Sequence, residues 1–305
     1  MRKLLFYGIF VALLVACHKE ENEEAVSKSE DGFTIENNYV RFYSKESFIK
    51  TMSALHKLST SELPKWEKEH GIQNSLRSKQ WDTTKTIDVE NMLVQDMRFA
   101  SVINEDGVYA IGDSIHKITQ DKEYVYRIGT SVSSTTLGRS SSGVRVFLIK
   151  KQILNLDAPL DNNVIKTRSM ADQYVYYDRT QMGIPPSSAK GTRRVRFYAW
   201  STSYIAYCSN GIGMHSQFRT KNFWGQLYWK DSPMAYMGMS GYAWYLYNGF
   251  DKQKYSYDSD TNEYNEQCTI AYEFAGTIYT YRINAAFGFQ LNSEYPFYYY
   301  NTIWN

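Results

Sequence analysis

Two hydrophobic periods divide this chain. Tyr39-Val40-Arg41-Phe42-Tyr43 alternates like a short strand. Directly after it, Phe48, Met52 and Leu55 recur at helical spacing behind Ser44, which predicts a helix over 45–58 with Ser44 as its N-cap. A second helix is predicted over 62–70. Ser61 caps it, Pro64 sits in the first turn where a missing N–H costs nothing, Trp66 anchors it, and Gly71 ends it. A third is predicted over 89–100, with Asp88 as cap and Val89, Met92, Leu93 and Met97 turned inward. The period then falls to two. Asn104-Glu105-Asp106-Gly107 reads as a turn, and strands follow over 108–111, 114–118 and 124–128.

A Ser/Thr/Gly-rich loop over 129–143, a strand over 144–150 and a polar stretch over 155–168 lead to a domain boundary near Met170. Beyond Tyr174 the chain reads as short strands: 194–199, 202–209, 223–228, 235–247, 253–258, 269–274, 277–283 and 298–304. The predicted fold class is therefore α+β. Residues 38–170 form a small region of helices beside an antiparallel meander, and residues 171–305 form an all-β, aromatic-rich, sandwich-like domain. The strands are uneven and carry charge on both faces, which favours a soluble sandwich over a membrane barrel.

The first residues have a different logic. Arg2 and Lys3 precede a twelve-residue apolar stretch from Leu4 to Val15, shorter than the roughly 20 residues a spanning helix needs. It closes on Leu14-Val15-Ala16-Cys17. This layout resembles a bacterial lipoprotein signal peptide with its lipobox, which implies that residues 1–16 are removed and that Cys17 carries the lipid. Residues 17–37 then read as a flexible tether. Lys19-Glu20-Glu21 within it is similar to the export signal that sends Bacteroidetes-type lipoproteins to the outer leaflet. That implies an outer-membrane anchor facing the cell exterior. The segment Glu62-Leu63-Pro64-Lys65-Trp66-Glu67 and the block Asn104-Glu105-Asp106-Gly107…Ile111-Gly112-Asp113-Ser114-Ile115, together with the strand–helix opening, resemble uncharacterised Bacteroidetes surface lipoproteins over about 37–128. The resemblance implies a cellular address and carries no activity and no catalytic residue.

Charge narrows the partners. The formal charge of +2 equals the contribution of Arg2 and Lys3, so the remainder sums to about zero. A broad basic patch that wraps nucleic acid or hugs anionic lipid needs a clear positive excess, and both are set aside as partners of such a patch. The membrane partner is the implied lipid anchor.

Motifs for chemistry are sparse. The five histidines, His18, His56, His70, His116 and His215, are scattered without metal-ligand spacing. Asp258-Ser259-Asp260-Thr261-Asn262-Glu263 begins like a calcium loop, but Glu263 stands where glycine is needed and Thr269 where glutamate is needed. It reads instead as a hairpin tip. No Gly-x-Ser-x-Gly occurs, and no catalytic residue, metal site or cofactor motif is assigned. Of three cysteines, Cys208 and Cys268 remain after Cys17. Both lie in strand-like runs. They form either a disulfide between neighbouring strands or two separate buried thiols.

The aromatics are the informative part. They make up 16% of the chain, with 27 tyrosines, and Trp224, Tyr228, Trp229, Tyr242, Trp244, Tyr245 and Tyr247 crowd one stretch. Rings on pleated strands either fill a core or present a stacking surface for sugars or a protein partner. Taking Leu246 as the inward marker, alternation puts Trp244 in the core and turns Tyr245 and Tyr247 outward as candidate partner contacts. The expected function is a non-catalytic surface lipoprotein whose β domain binds a glycan or a protein. The alternatives are a hydrolase of an extracellular polymer and a structural component of the cell envelope.

Overall fold

The computed structural model describes residues 32–82, 91–130, 143–152, 154, 193–291 and 297–305, together with the backbone of the strands Val164–Lys166 and Asp172–Tyr177. The leader, Cys17, Lys19-Glu20-Glu21, the predicted cap Asp88 and most of the Ser/Thr/Gly loop lie outside the described residues. The chain is mostly β, in several antiparallel sheets with few helices.

The first described strand lies inside the stretch read as tether. Phe33–Glu36 pairs with Tyr39–Phe42 through Asn37 and Asn38, both at positive φ. Asparagine tolerates that conformation better than most residues, and the pair makes a tight two-residue turn. These strands open a six-stranded sheet that continues through Val108–Ile111, Ser114–Ile118, Lys122–Arg127 and Val144–Leu148. Every pairing in it is antiparallel except Tyr39–Phe42 against Val108–Ile111. A parallel neighbour requires a long crossover, and the helices supply it.

The helix Lys45–Leu55 starts at Ser44, whose hydroxyl accepts from the Ser47 N–H in a reciprocal capping box. It buries Phe48, Met52 and Leu55. The second helix, Leu63–Glu69, follows a short 3₁₀ turn, Thr60–Glu62. Ser59, not Ser61, sits at the start of that turn and donates from both its N–H and its hydroxyl to the Glu62 carboxylate. The predicted third helix contracts to Met97–Ala100, capped by Asp96, and Leu76–Gln80 forms a helix that periodicity alone did not mark.

In the second half, Leu227–Asp231, Tyr207–Lys221, Arg193–Ser203, Asp172–Tyr177 and Val164–Lys166 lie side by side. Asn265–Phe274 pairs with Tyr207–Lys221, and Lys150–Lys151 with the end of Arg193–Ser203. The predicted strand over 202–209 is broken by a turn at Tyr204–Ala206, and that over 223–228 begins inside the turn at 222–226. A separate four-stranded sheet has the order Phe250–Asp260, Tyr236–Tyr247, Ile278–Gln290, Tyr298–Trp304. The stretch 258–263 is not a hairpin tip: the strands on either side of it belong to different sheets.

The seven-stranded sheet is covered on both faces. On one, Phe197, Ile212, Met214 and Ile270 share an apolar cluster with Met237, Met239, Tyr245, Phe287, Phe289 and Trp304 of the four-stranded sheet. On the other, Tyr198, Trp200, Tyr204 and Tyr207 join Phe42, Phe48, Leu55, Phe99 and Tyr109 from the first half. Residues on both sides of Met170 thus share one core. This layering leaves the outer face of the four-stranded sheet without a protein layer over it among the described residues.

Candidate functional site

On Tyr236–Tyr247 the odd positions Met237, Met239, Ala243 and Tyr245 are buried. The pleat therefore turns Tyr236, Gly238, Ser240, Tyr242 and Trp244 outward. Antiparallel register sets Gly238 beside Gly288, and Ser240 beside Ala286 and Tyr257. On the far side Gly288 pairs with Tyr299 and Ala286 with Asn301. Four small residues thus form a floor between rows of rings. The result is a groove of about 440 Å³, walled by Tyr257 on one side and by Phe297 and Tyr299 on the other, with Tyr236 at one end.

The walls are mutually supported. The Tyr236 and Tyr257 hydroxyls lie 3.1 Å apart. Tyr236 lies 5.5 Å from Phe297, and Phe297 stacks on Tyr299 at 6.2 Å. A Cβ at 238 would displace the Tyr236 ring from its place at the end of the groove. The ring row continues along the sheet. Tyr242 contacts Tyr255 at 4.7 Å and Trp244 at 5.9 Å, and the Arg282 guanidinium lies 5.4 Å over the Trp244 ring. The rings stay reachable: Tyr257 is 56% exposed and Tyr299 76%. None of the described groove-lining residues is Asp, Glu, Lys, Arg or His. The hydrogen bond to Tyr257 pushes the Tyr236 phenol above its ordinary value, which keeps it protonated at neutral pH. The groove is a neutral surface of π faces with hydroxyl and amide groups along it.

The residues singled out from sequence fall elsewhere. Tyr245 is not outward. It is fully buried, and its hydroxyl donates to Glu273 at 3.2 Å. Tyr247 packs against the same core, and its hydroxyl donates to the Phe274 carbonyl at 2.8 Å. Trp244 is on the outer face and half-buried. Leu246 was the wrong marker, since Met237, Met239 and Ala243 fix the inward parity. Trp224 is 81% exposed at a turn, and Trp229 is half-buried under Arg194 at 4.2 Å.

Cys208 and Cys268 are buried and unbonded. Their strands are neighbours, but Cys208 faces Glu273 while Cys268 faces Ile212. Four residues of offset is roughly 13 Å along a strand, beyond the reach of a disulfide. Burial pushes both thiols up to about 12, so they are inert thiols within the core. Cys17 lies outside the described residues. Tyr236, Tyr257, Phe297 and Tyr299 were not singled out. Their signal was the run of small outward residues, Gly238, Ser240, Ala286 and Gly288, which becomes a floor only once the strands are paired.

A second concentration of polar groups lies where the helices meet the seven-stranded sheet. The Tyr207 hydroxyl donates to Asp96 at 2.5 Å and lies 2.8 Å from His56 Nε2. Asp96 also accepts from Thr269 and from the Arg98 N–H. Arg98 pairs with Asp258 at 2.8 Å, so the calcium-like stretch takes a guanidinium as its counter-ion. Burial pushes the His56 imidazole down to about 3, which keeps it neutral and requires Nε2 to carry the hydrogen donated to Tyr207. Nearby, Glu123 accepts from Tyr109, from the Ile205 N–H and from His116 Nδ1. Asp96, Tyr207, Tyr109 and Glu123 are each at most 2% exposed. These groups are buried and bolt two layers together. Among the described residues, no group of three or more His, Cys, Asp or Glu could hold a metal ion. No described helix is long and apolar enough to cross a membrane.

No family model matches the chain, and no curated protein matches it. Among solved structures it is similar to a DUF4848 family protein from Bacteroides thetaiotaomicron, at 10% identity and a TM-score of 0.24, covering 88% of this chain and 98% of that one. A TM-score this low carries no argument about fold or function.

Proposed function

We propose that this protein is a non-catalytic binding lipoprotein that holds a neutral glycan in the groove between Tyr257 and Tyr299. The observation that carries this reading is the groove's composition: a floor of Gly238, Ser240, Ala286 and Gly288, walls of aromatic rings, and no charged residue among the described lining. Pyranose rings present C–H faces that pack on aromatic faces, while their hydroxyls need donors and acceptors. Tyr236, Tyr257, Ser240 and Asn301 offer both. The lining supplies rings and hydroxyls rather than a carboxylate pair of the kind glycoside hydrolysis uses, and this favours retention over cleavage. The two β sheets of the second half are read as a sandwich, because side chains from both enter one apolar cluster.

Affinity electrophoresis of the full chain through gels containing neutral or charged polysaccharides tests the reading. Retardation by at least one neutral polymer is expected, together with its loss in Tyr257→Ala and Tyr299→Ala. Free migration in every gel contradicts it. The cellular address belongs to the same proposal and rests on Cys17 and Lys19-Glu20-Glu21. Cys17→Ser should abolish lipid labelling. Alanines at 19–21 should convert a protease-accessible protein on intact cells into a protected one. Normal labelling or unchanged accessibility would count against each assignment.

A further inference from the structure

Phe223 and Trp224 are the two most exposed large apolar side chains among the described residues, at 93% and 81%. They sit at the end of the longest described strand, Tyr207–Lys221, where it turns back into Leu227–Asp231. The turn is tightly built. The Asn222 side chain accepts from the Trp224 and Gln226 N–H groups at 3.0 and 2.9 Å. The Asn222 N–H donates to Gln226 at 2.9 Å, and the Gly225 N–H donates to Asn222 at 3.0 Å. Gly225 has φ of +77°, a conformation that glycine adopts without strain. The two rings meet edge to face at 5.3 Å. An apolar pair is thus displayed at a tip whose backbone is already ordered, so engaging a partner has little ordering cost.

Composition along the hairpin is layered. Phe223 and Trp224 form the apex. Leu227 and Tyr228 follow, 51% and 44% exposed. Lys221 pairs with Leu227 and lies level with it, and behind Tyr228 come Arg219 and Lys230; all three cations are exposed. From Phe218 to Lys230 the sequence holds no acidic residue. The next carboxylate, Asp231, is turned inward, 2.8 Å from His215 Nε2 and 2.9 Å from the Gln217 amide. The pairing from Arg219 to Lys221 carries the tip roughly 10 Å beyond the register of Phe218 with Arg193.

We propose that this hairpin is a lipid-bilayer contact that seats Phe223 and Trp224 at the acyl–headgroup boundary of an anionic leaflet. The axial order matches that of a leaflet: hydrophobic rings at the apex, an amphipathic tyrosine at interface depth, Arg219 and Lys230 at the level of the phosphates, and Lys221, beside Leu227, with a stem long enough to reach back to them. A convex, prepaid tip suits a fluid surface, which closes around it without a preformed pocket. The charge supplies selectivity. Each Lys or Arg close to an anionic surface strengthens binding about fivefold. The three cations together therefore favour an anionic over a zwitterionic leaflet by about a hundredfold, and added salt erases the preference. The contact lies on a different sheet from the glycan groove and does not depend on it.

The test is local to the tip. The full chain is mixed with phosphatidylcholine vesicles containing about a third phosphatidylglycerol, with acyl chains brominated near the headgroup, and tryptophan emission is recorded for wild type and Trp224→Phe. Stronger bromine quenching of wild type than of Trp224→Phe is expected. The difference should vanish in zwitterionic vesicles and in the triple variant Arg219→Gln, Lys221→Gln, Lys230→Gln. Because the readout is at residue 224, any other attachment of the chain to the vesicle does not affect it. Unchanged thermal melting of the variants shows that the fold is kept. Equal quenching of wild type and Trp224→Phe in anionic vesicles would overturn the proposal, and it is the result expected if the tip instead fills a pocket on a protein.

Discussion

Tyrosine is used in two opposite ways in this protein. At the interior layers Tyr109, Tyr198, Tyr204, Tyr207 and Tyr245 are buried, and each hydroxyl is committed to a specific protein acceptor: Glu123, Asn265, the Leu93 carbonyl, Asp96 and Glu273. On the outer face of the four-stranded sheet, Tyr242, Tyr255, Tyr257 and Tyr299 are 45%, 53%, 56% and 76% exposed, and their rings lie along a strip of small residues. A buried phenol without an acceptor is costly, so the interior rings are fixed by their hydroxyls. An exposed ring leaves apolar surface in water, so the outer rings hold unused capacity for a ligand. The first set holds layers together, and the second is a surface.

Substitutions separate the two sets. The largest expected effect is at Tyr245→Ala, which empties a ring-sized volume in the shared core and should cost about 3–5 kcal/mol. Thermal melting should fall by about 10 °C. A melt unchanged from wild type would return Tyr245 to the outer face. Next is Glu123→Gln. The carboxylate collects donors from Tyr109, His116 and the Ile205 N–H, and an amide cannot accept all three on equivalent oxygens. The expected cost is about 2 kcal/mol, read by denaturant unfolding. A neutral result would mean that the seam between the halves does not depend on this group.

A third effect depends on pH and comes from Glu266. Burial, with Asp258 nearby, pushes its carboxyl up to about 8, while one oxygen accepts from Thr60 at 2.6 Å. The folded chain keeps a proton that the unfolded chain releases above the ordinary value of 4.5. The stabilisation is therefore complete below about pH 4.5 and is lost as pH rises towards 8, with a slope of at most about 1.4 kcal/mol per pH unit. Denaturant titrations at pH 5 and pH 8 should show a steeper loss for wild type than for Glu266→Gln. Parallel losses would place the proton elsewhere.

How much of this was legible beforehand depends on how local the signal is. Phe48, Met52 and Leu55 behind Ser44 gave a helix that the fold keeps, and 298–304 gave a strand with the same bounds. Pairing is not local. Nothing in the strings around Cys208 and Cys268 sets their four-residue offset, which arises when Tyr207–Lys221 docks on Asn265–Phe274 through a bulge at Asn210 and Gly211. The groove was illegible for the same reason. Gly238, Gly288 and Tyr299 are distant in sequence, and small outward residues carry no hydrophobic signal. The faces of 242–247 were misread from a window too short to include Met237 and Met239. A second bulge, between Trp244 and Tyr245 against Ile278–Gln290, adds to the difficulty of placing that stretch by simple alternation.

The central claim, that the outer rings are a ligand surface and the inner rings are not, meets its most direct test in isothermal titration with a neutral polysaccharide that retards the protein. Tyr257→Ala and Tyr299→Ala should each weaken binding tenfold or more, while shifting stability by no more than about 0.5 kcal/mol. Full affinity in both variants, or a loss of affinity that tracks a loss of folding, would contradict the account.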